Sequence, residues 1–143
     1  MQYTITKKFR FESAHRLIKG YVGKCSSVHG HSWNGHIAVK MLGTDKYDMA
    51  VDFGELGYFT KEIEMHYDHK LILAQEDEAL IAFCELENSA YVTTIGNPTC
   101  ETIAKEIYDR LLKYLLSKEI AHVGITVTIE ETCTTSCTIS TIG

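Results

Sequence analysis

Residues 24–36, KCSSVHGHSWNGH, hold one cysteine and three histidines in a single short run. Neutral imidazoles are metal ligands, and a thiol beside them either joins the metal or moves protons next to it. His29 and His31 are two residues apart, so on a strand they share a face, while His36 points to the other. His15 closes an earlier alternating run and falls on its apolar side. If the two runs pair, three imidazoles converge. Three histidines with an open position describe a catalytic zinc centre better than a structural one, which usually fills four positions and mostly with cysteine. A closed clip of Cys25, His29 and His31, with His15 as fourth ligand, is the alternative. His36, His66 and His122 lack the pattern and read as ordinary core or surface histidines.

Two further groups could do chemistry. In the last β run Val123, Ile125, Val127 and Ile129 share a face, and Glu131 falls on it. A carboxylate on an apolar face needs a partner, since burying it unpaired is costly. A ligand offering adjacent N–H donors would suit it, as would a buried ion pair or a strand already ended at Ile129. In YDHK, Asp68 and His69 follow a helical run. If His69 reaches Cys25, in the fold or across an interface, it can take the thiol proton, with Asp68 orienting it. Asp52 in VDFGEL reads as a cap or turn residue.

The elements that must position these groups are partly legible. Residues 2–15 alternate, with Tyr3, Ile5, Phe9 and Phe11 on one side, and residues 29–42 do the same with Trp33, Ile37, Val39 and Met41. These runs are expected to pair antiparallel. Leu56, Phe59 and Ile63 have helical spacing. Residues 70–96 are harder to read: DEALIAFCELENS fits a short helix and AYVTTIG a short extended piece. Asn97, Pro98 and Thr99 start a strong helix whose stripe is Ile103, Ile107, Leu111, Tyr114 and Leu115. The final β run reads as two strands about a turn near 134–136. The expected fold is an α+β domain over 1–143, with helices on one face of an antiparallel sheet.

Bulk properties exclude several classes. The chain has 143 residues and a net charge of −5, so there is no basic footprint for nucleic acid. No apolar run approaches the ~20 residues that span a bilayer, and the N-terminal alternation is not a signal-peptide core. The five cysteines are an odd number without secretory context, read as reduced thiols in a cytoplasmic protein. Cys133 and Cys137 read as small packed thiols.

In order along the chain, FESAHRL, CSSVHGHSW, VDFGEL, DH, NPTCETIA and EETCTTSC resemble the motifs of the 6-pyruvoyl-tetrahydropterin synthase superfamily. The ETCTTSC tail is most similar to its 6-carboxy-5,6,7,8-tetrahydropterin synthase branch, from queuosine biosynthesis. The resemblance implies a T-fold (tunnelling fold): a four-stranded antiparallel sheet with two helices on one face, three copies closing a barrel and two trimers stacking into a homohexamer. It implies Zn2+ on His15, His29 and His31. It makes Cys25 the proton-transferring group with Asp68 and His69 as its relay, often from a neighbouring subunit. It makes Glu131 the anchor of the pterin's amino-pyrimidine edge, helped by Thr99 and Thr132. Three features depart from the pattern: a longer segment over 71–96, Cys100 where Ser or Ala is common, and Ile139 in place of a frequent Tyr.

The implied substrate is a small molecule, 7,8-dihydroneopterin triphosphate. Triphosphate leaves, the ring is reduced internally, and acetaldehyde is released. No nicotinamide is needed, and no GxGxxG occurs. Arg16 and Lys24 are the nearest cations in sequence for the triphosphate. The alternatives are a pyruvoyl-forming synthase and a non-catalytic zinc-stabilised binding module.

Overall fold

β1 (Gln2–His15) and β2 (His29–Leu42) pair antiparallel along their whole length, from Gln2 opposite Leu42 to His15 opposite His29. This comes from a computed structural model, which describes residues 1–141. The register follows from the alternation: both strands turn their odd-numbered side chains to one face, where Phe9, Phe11, Trp33, Ile37 and Val39 are buried. β5 (Gly124–Thr132) adds antiparallel to β2, and β6 (Thr135–Ser140) to β5. The turn between them falls at Cys133–Thr134, a residue earlier than expected.

Two helices cover the apolar face. α1 (Phe53–Tyr67) starts where the Asp52 carboxylate accepts from Gly54 N at 2.7 Å, which bears out the reading of Asp52 as a cap. It buries Leu56, Phe59, Ile63 and Tyr67.

Between these helices lies an addition. The expected sheet had four antiparallel strands and two helices. The structure has six strands, in the order β4-β3-β1-β2-β5-β6, and three α-helices among the described residues. β3 (Lys70–Ala74) runs parallel to β1, β4 (Tyr91–Thr94) runs parallel to β3, and α2 (Glu78–Glu87) is the crossover that parallel strands require. Ile72, Leu73 and Ala74 are all buried, so KLILA is covered on both faces and shows no alternation. That hid β3 from a period-2 reading. The last helix, α3 (Cys100–Ser117), is capped by Thr99, whose hydroxyl accepts from Thr102 N at 3.2 Å, and buries Ile103, Ile107, Leu111 and Leu115 against β5.

Gly35 is needed where β2 passes under Phe9. A Cβ there would come within 2.6 Å of Phe9 Cζ and 2.7 Å of the Thr128 carbonyl oxygen. Ile139 faces Val127 and packs against the core. Cys137 packs likewise, but Cys133 is exposed on the turn, so the packed reading holds for one of the two. No described helix is long and apolar enough to cross a membrane.

Candidate metal and substrate site

At the end of the β1–β2 ladder the buried face runs out of hydrocarbon. Phe11 lies opposite Trp33, Ser13 opposite His31, and His15 opposite His29. Trp33 is the floor on which the histidines stand, with its ring 5.0 Å from His15 and 5.2 Å from His31. Its indole N–H donates to the Ser13 carbonyl at 3.2 Å. The three imidazoles are 4.6–5.2 Å apart by ring centroid, and one nitrogen of each lies within 4.8 Å of the others. The strand parity therefore brings together the histidines it was expected to, and Cys25 is not one of the group.

Neighbouring carbonyls set the tautomers. His15 Nδ1 donates to Pro98 O at 2.6 Å and His29 Nδ1 to Ser27 O at 2.7 Å. Each bond leaves an Nε2 lone pair for a ligand. His15 Nε2 and His31 Nε2 are buried and have no hydrogen-bond partner among the described residues. Glu131 Oε1 is near both, at 3.4 and 3.7 Å, but not in hydrogen-bonding geometry. Burial holds the pKa of His15 and of His31 below the usual imidazole range; for His15 the Pro98 carbonyl works in the opposite direction. Neutral imidazoles with orphaned, converging lone pairs fit a divalent metal ion.

Beside the triad opens a cavity of about 260 Å³ lined by His15, Cys25, Thr99, Glu101, Glu131 and Cys137, among others. Cys25 stands on a short 3-10 turn (Lys24–Ser26) ahead of β2, outside the strand alternation, and is partly exposed. Glu131 reaches the cavity because it continues the buried parity of Ile125, Val127 and Ile129 one step past the core. Thr132 does not line the cavity: a bulge falls between Glu130 and Thr132, and the Thr132 hydroxyl bonds Thr135 Oγ1 at 2.7 Å in the turn. Thr135 lines the cavity instead. Arg16 is not free for a phosphate, since its guanidinium grips Asp77.

Asp68 and His69 are paired but stand elsewhere in the chain. His69 Nδ1 is 2.8 Å from Asp68 Oδ2, and Asp68 Oδ1 accepts from Glu12 N at 2.8 Å. His69 N donates to Glu12 O at 2.7 Å, which holds His69 at φ 58°, a left-handed conformation uncommon for residues other than glycine. Its side chain is 79% exposed, and neither residue lines the Cys25 cavity.

Sequence reasoning missed the Pro98 carbonyl, Glu101 and the β6 wall at 135–137. The carbonyl leaves no mark in residue type. The β6 wall was hidden by the uncertain turn position. Glu101, in the first turn of α3, was readable as a residue that favours a helix N-terminus.

Among known proteins, the 6-pyruvoyl tetrahydropterin synthase family model matches residues 4–141. The chain is 34% identical over 114 residues to a 6-carboxy-5,6,7,8-tetrahydropterin synthase of Rickettsia felis, covering 77% of this chain and 80% of that protein. It is 30% identical over 135 residues to the protein of the same name from Bacillus subtilis, covering 94% and 83%. Among solved structures, 6-pyruvoyl tetrahydropterin synthase from Plasmodium vivax superposes with a TM-score of 0.78 at 19% identity, covering 99% of this chain and 98% of that one. An uncharacterized protein from Wolinella succinogenes superposes with a TM-score of 0.82 at 19% identity, covering 97% and 98%. The solved structures establish a common α+β fold.

Proposed function

The chain belongs to the 6-pyruvoyl tetrahydropterin synthase family, and on that footing we propose that it converts 7,8-dihydroneopterin triphosphate to 6-carboxy-5,6,7,8-tetrahydropterin, releasing acetaldehyde and triphosphate. The observation that carries this reading is one cavity lined by His15 of the histidine triad, Cys25 and Glu131, in a chain whose curated relatives bear the carboxypterin name.

His15, His29 and His31 would hold the metal, which we take to be Zn2+. When bound, it supplies Lewis-acid polarisation of the substrate's side-chain oxygens. Glu131 would accept two hydrogen bonds from the adjacent N–H groups of the amino-pyrimidine edge, a side-by-side pairing that a carboxylate suits. That orients the ring so that its side chain points back to the triad. Thr99, at the cavity edge, would help hold the ring, and Thr135 takes the part expected of Thr132. Cys25 would move protons at the side-chain carbons. The Trp33 floor keeps water from the buried side of the histidines.

Asp68 and His69 complete the proton relay only if a second copy brings them. Their exposure and preset geometry support a homo-oligomer in which His69 of one copy faces Cys25 of the next. Both outer strands, β4 and β6, present open edges to another copy, which agrees with a hexamer built as two stacked trimers. We place the enzyme in the cytoplasm.

The test is direct. Purified protein given 7,8-dihydroneopterin triphosphate should yield the 6-carboxy product and acetaldehyde. A 6-pyruvoyl product without acetaldehyde would assign it to the sister reaction, and no turnover at all would sink the enzyme reading.

A further inference from the structure

The three residues that follow His15 are each fastened to a different part of the molecule. Arg16 makes two hydrogen bonds to Asp77 at 2.8 and 2.6 Å, and the Asp77 carboxylate, buried at the N-terminus of α2, also accepts from Leu80 N at 3.3 Å. Leu17 N donates to Cys25 O at 2.9 Å. The Asn97 side chain takes both polar groups of Ile18: Oδ1 accepts from Ile18 N at 2.8 Å, and Nδ2 donates to Ile18 O at 3.2 Å. The next residue after Asn97 is Pro98, whose carbonyl oxygen accepts from His15 Nδ1. A closed ring of contacts results, from His15 along the chain to Ile18, across to Asn97, and through Pro98 back to His15.

We propose that Asn97 is a positioning residue for the metal site, holding the Pro98 carbonyl against His15 and, through Ile18 and Leu17, steadying the backbone of Cys25. The proposal rests on the metal reading of the triad and not on which pterin product is made. The preceding Gly96 sits at φ 85°, and the loop from β4 to α3 has few other ties to β1. Without the amide, the carbonyl that fixes the His15 tautomer is held only through its chain neighbours, by the Thr94 hydroxyl on the Gly96 carbonyl at 2.8 Å and by the cap of α3. Partners that orient a ligating histidine typically contribute about 10- to 100-fold to metal affinity.

The decisive experiment compares wild type, Asn97→Ala, Asn97→Asp and Asp52→Ala as Co2+-loaded protein. Affinity is read by competition with a chromophoric chelator, and site geometry by visible absorption. Asp52→Ala removes the α1 cap, far from the triad, and serves as a destabilised control at about 1 kcal/mol. Asn97→Ala should weaken Co2+ binding about 10- to 100-fold and shift the absorption bands. Asn97→Asp keeps the bond from Ile18 N and should lie between Asn97→Ala and wild type. Asp52→Ala should match wild type in both readouts. Wild-type affinity and spectrum in the Asn97 variants, whatever their melting temperature, would overturn the proposal; if Asn97→Ala does not fold, Asn97→Asp decides by the same criterion. A wild type that takes up no Co2+ would overturn this proposal and the metal reading together. A wild type that binds Co2+ but makes no carboxypterin would overturn only the proposed reaction, and the comparison of variants would still decide the role of Asn97.

Discussion

Glu131 Oε1 lies 3.4 Å from His15 Nε2, so the carboxylate that would read the pterin ring touches the edge of the metal triad. Two roles are open to a carboxylate in that place, fourth metal ligand or substrate anchor. We expect Glu131→Gln to keep stoichiometric metal and lose roughly 10- to 100-fold in kcat/KM, the worth of a hydrogen bond to a charged group at ~1.5–3 kcal/mol. Metal analysis beside steady-state kinetics checks this. Loss of metal would make Glu131 a ligand instead.

Cys25→Ala should leave the fold and the metal content intact and lower turnover by at least about 100-fold, the lower range for removal of an acid–base group. The cysteine lines the cavity but is not part of the nitrogen cluster. A variant that sheds its metal and unfolds would restore the closed-clip reading.

Gly35→Ala should destabilise the protein by about 1–3 kcal/mol through overpacking. The added methyl meets the Phe9 ring and, at 2.7 Å, the Thr128 backbone, which cannot turn aside as a side chain can. Thermal denaturation measures the loss. Adding Phe9→Leu should recover only the part owed to the ring, and full recovery would show that β5 yields freely.

Acid should weaken the fold through His66. Burial first, then the charges of Arg110 and Lys70, pushes its pKa down to about 4. Arg110 Nη2 lies 3.2 Å from His66 Nε2, the Tyr67 ring stands edge-on to the imidazole at 4.6 Å between centroids, and the carboxylates of Glu106 and Asp109 border the same groove. The unfolded imidazole titrates near its ordinary ~6.5. Between these values the unfolded chain binds the extra proton, so stability falls as pH drops from about 6.5 toward about 4 and is unaffected above. His66→Gln should flatten that decline in urea midpoints taken at fixed protein concentration. Equal slopes in the two proteins would show that His66 does not drive it.

The triad was legible because strand parity is strict: two histidines two residues apart cannot face opposite ways, and a ladder in register carries a third to meet them. Cys25 stood out because it lay outside the alternation. β3 was not legible, since burial on both faces erases the period that marks a strand. Nor was the solitary position of Asp68 and His69. Sequence can pair them but says nothing of where the β1–β3 register puts them, level with Glu12 and a few residues short of His15. Thr132 stands outside the cavity for a local reason, a bulge between Glu130 and Thr132.

The three histidines all belong to the first 31 residues of the chain, whereas Pro98 and Glu131 come from its last third. During synthesis the ligands would leave the ribosome together. The loop that brings them face to face is short, so its closure costs little entropy. The groups that orient His15 and close the substrate cavity can arrive only once α3 and β5 exist. A nascent chain could therefore take up metal on a bare hairpin well before it has anywhere to put a substrate.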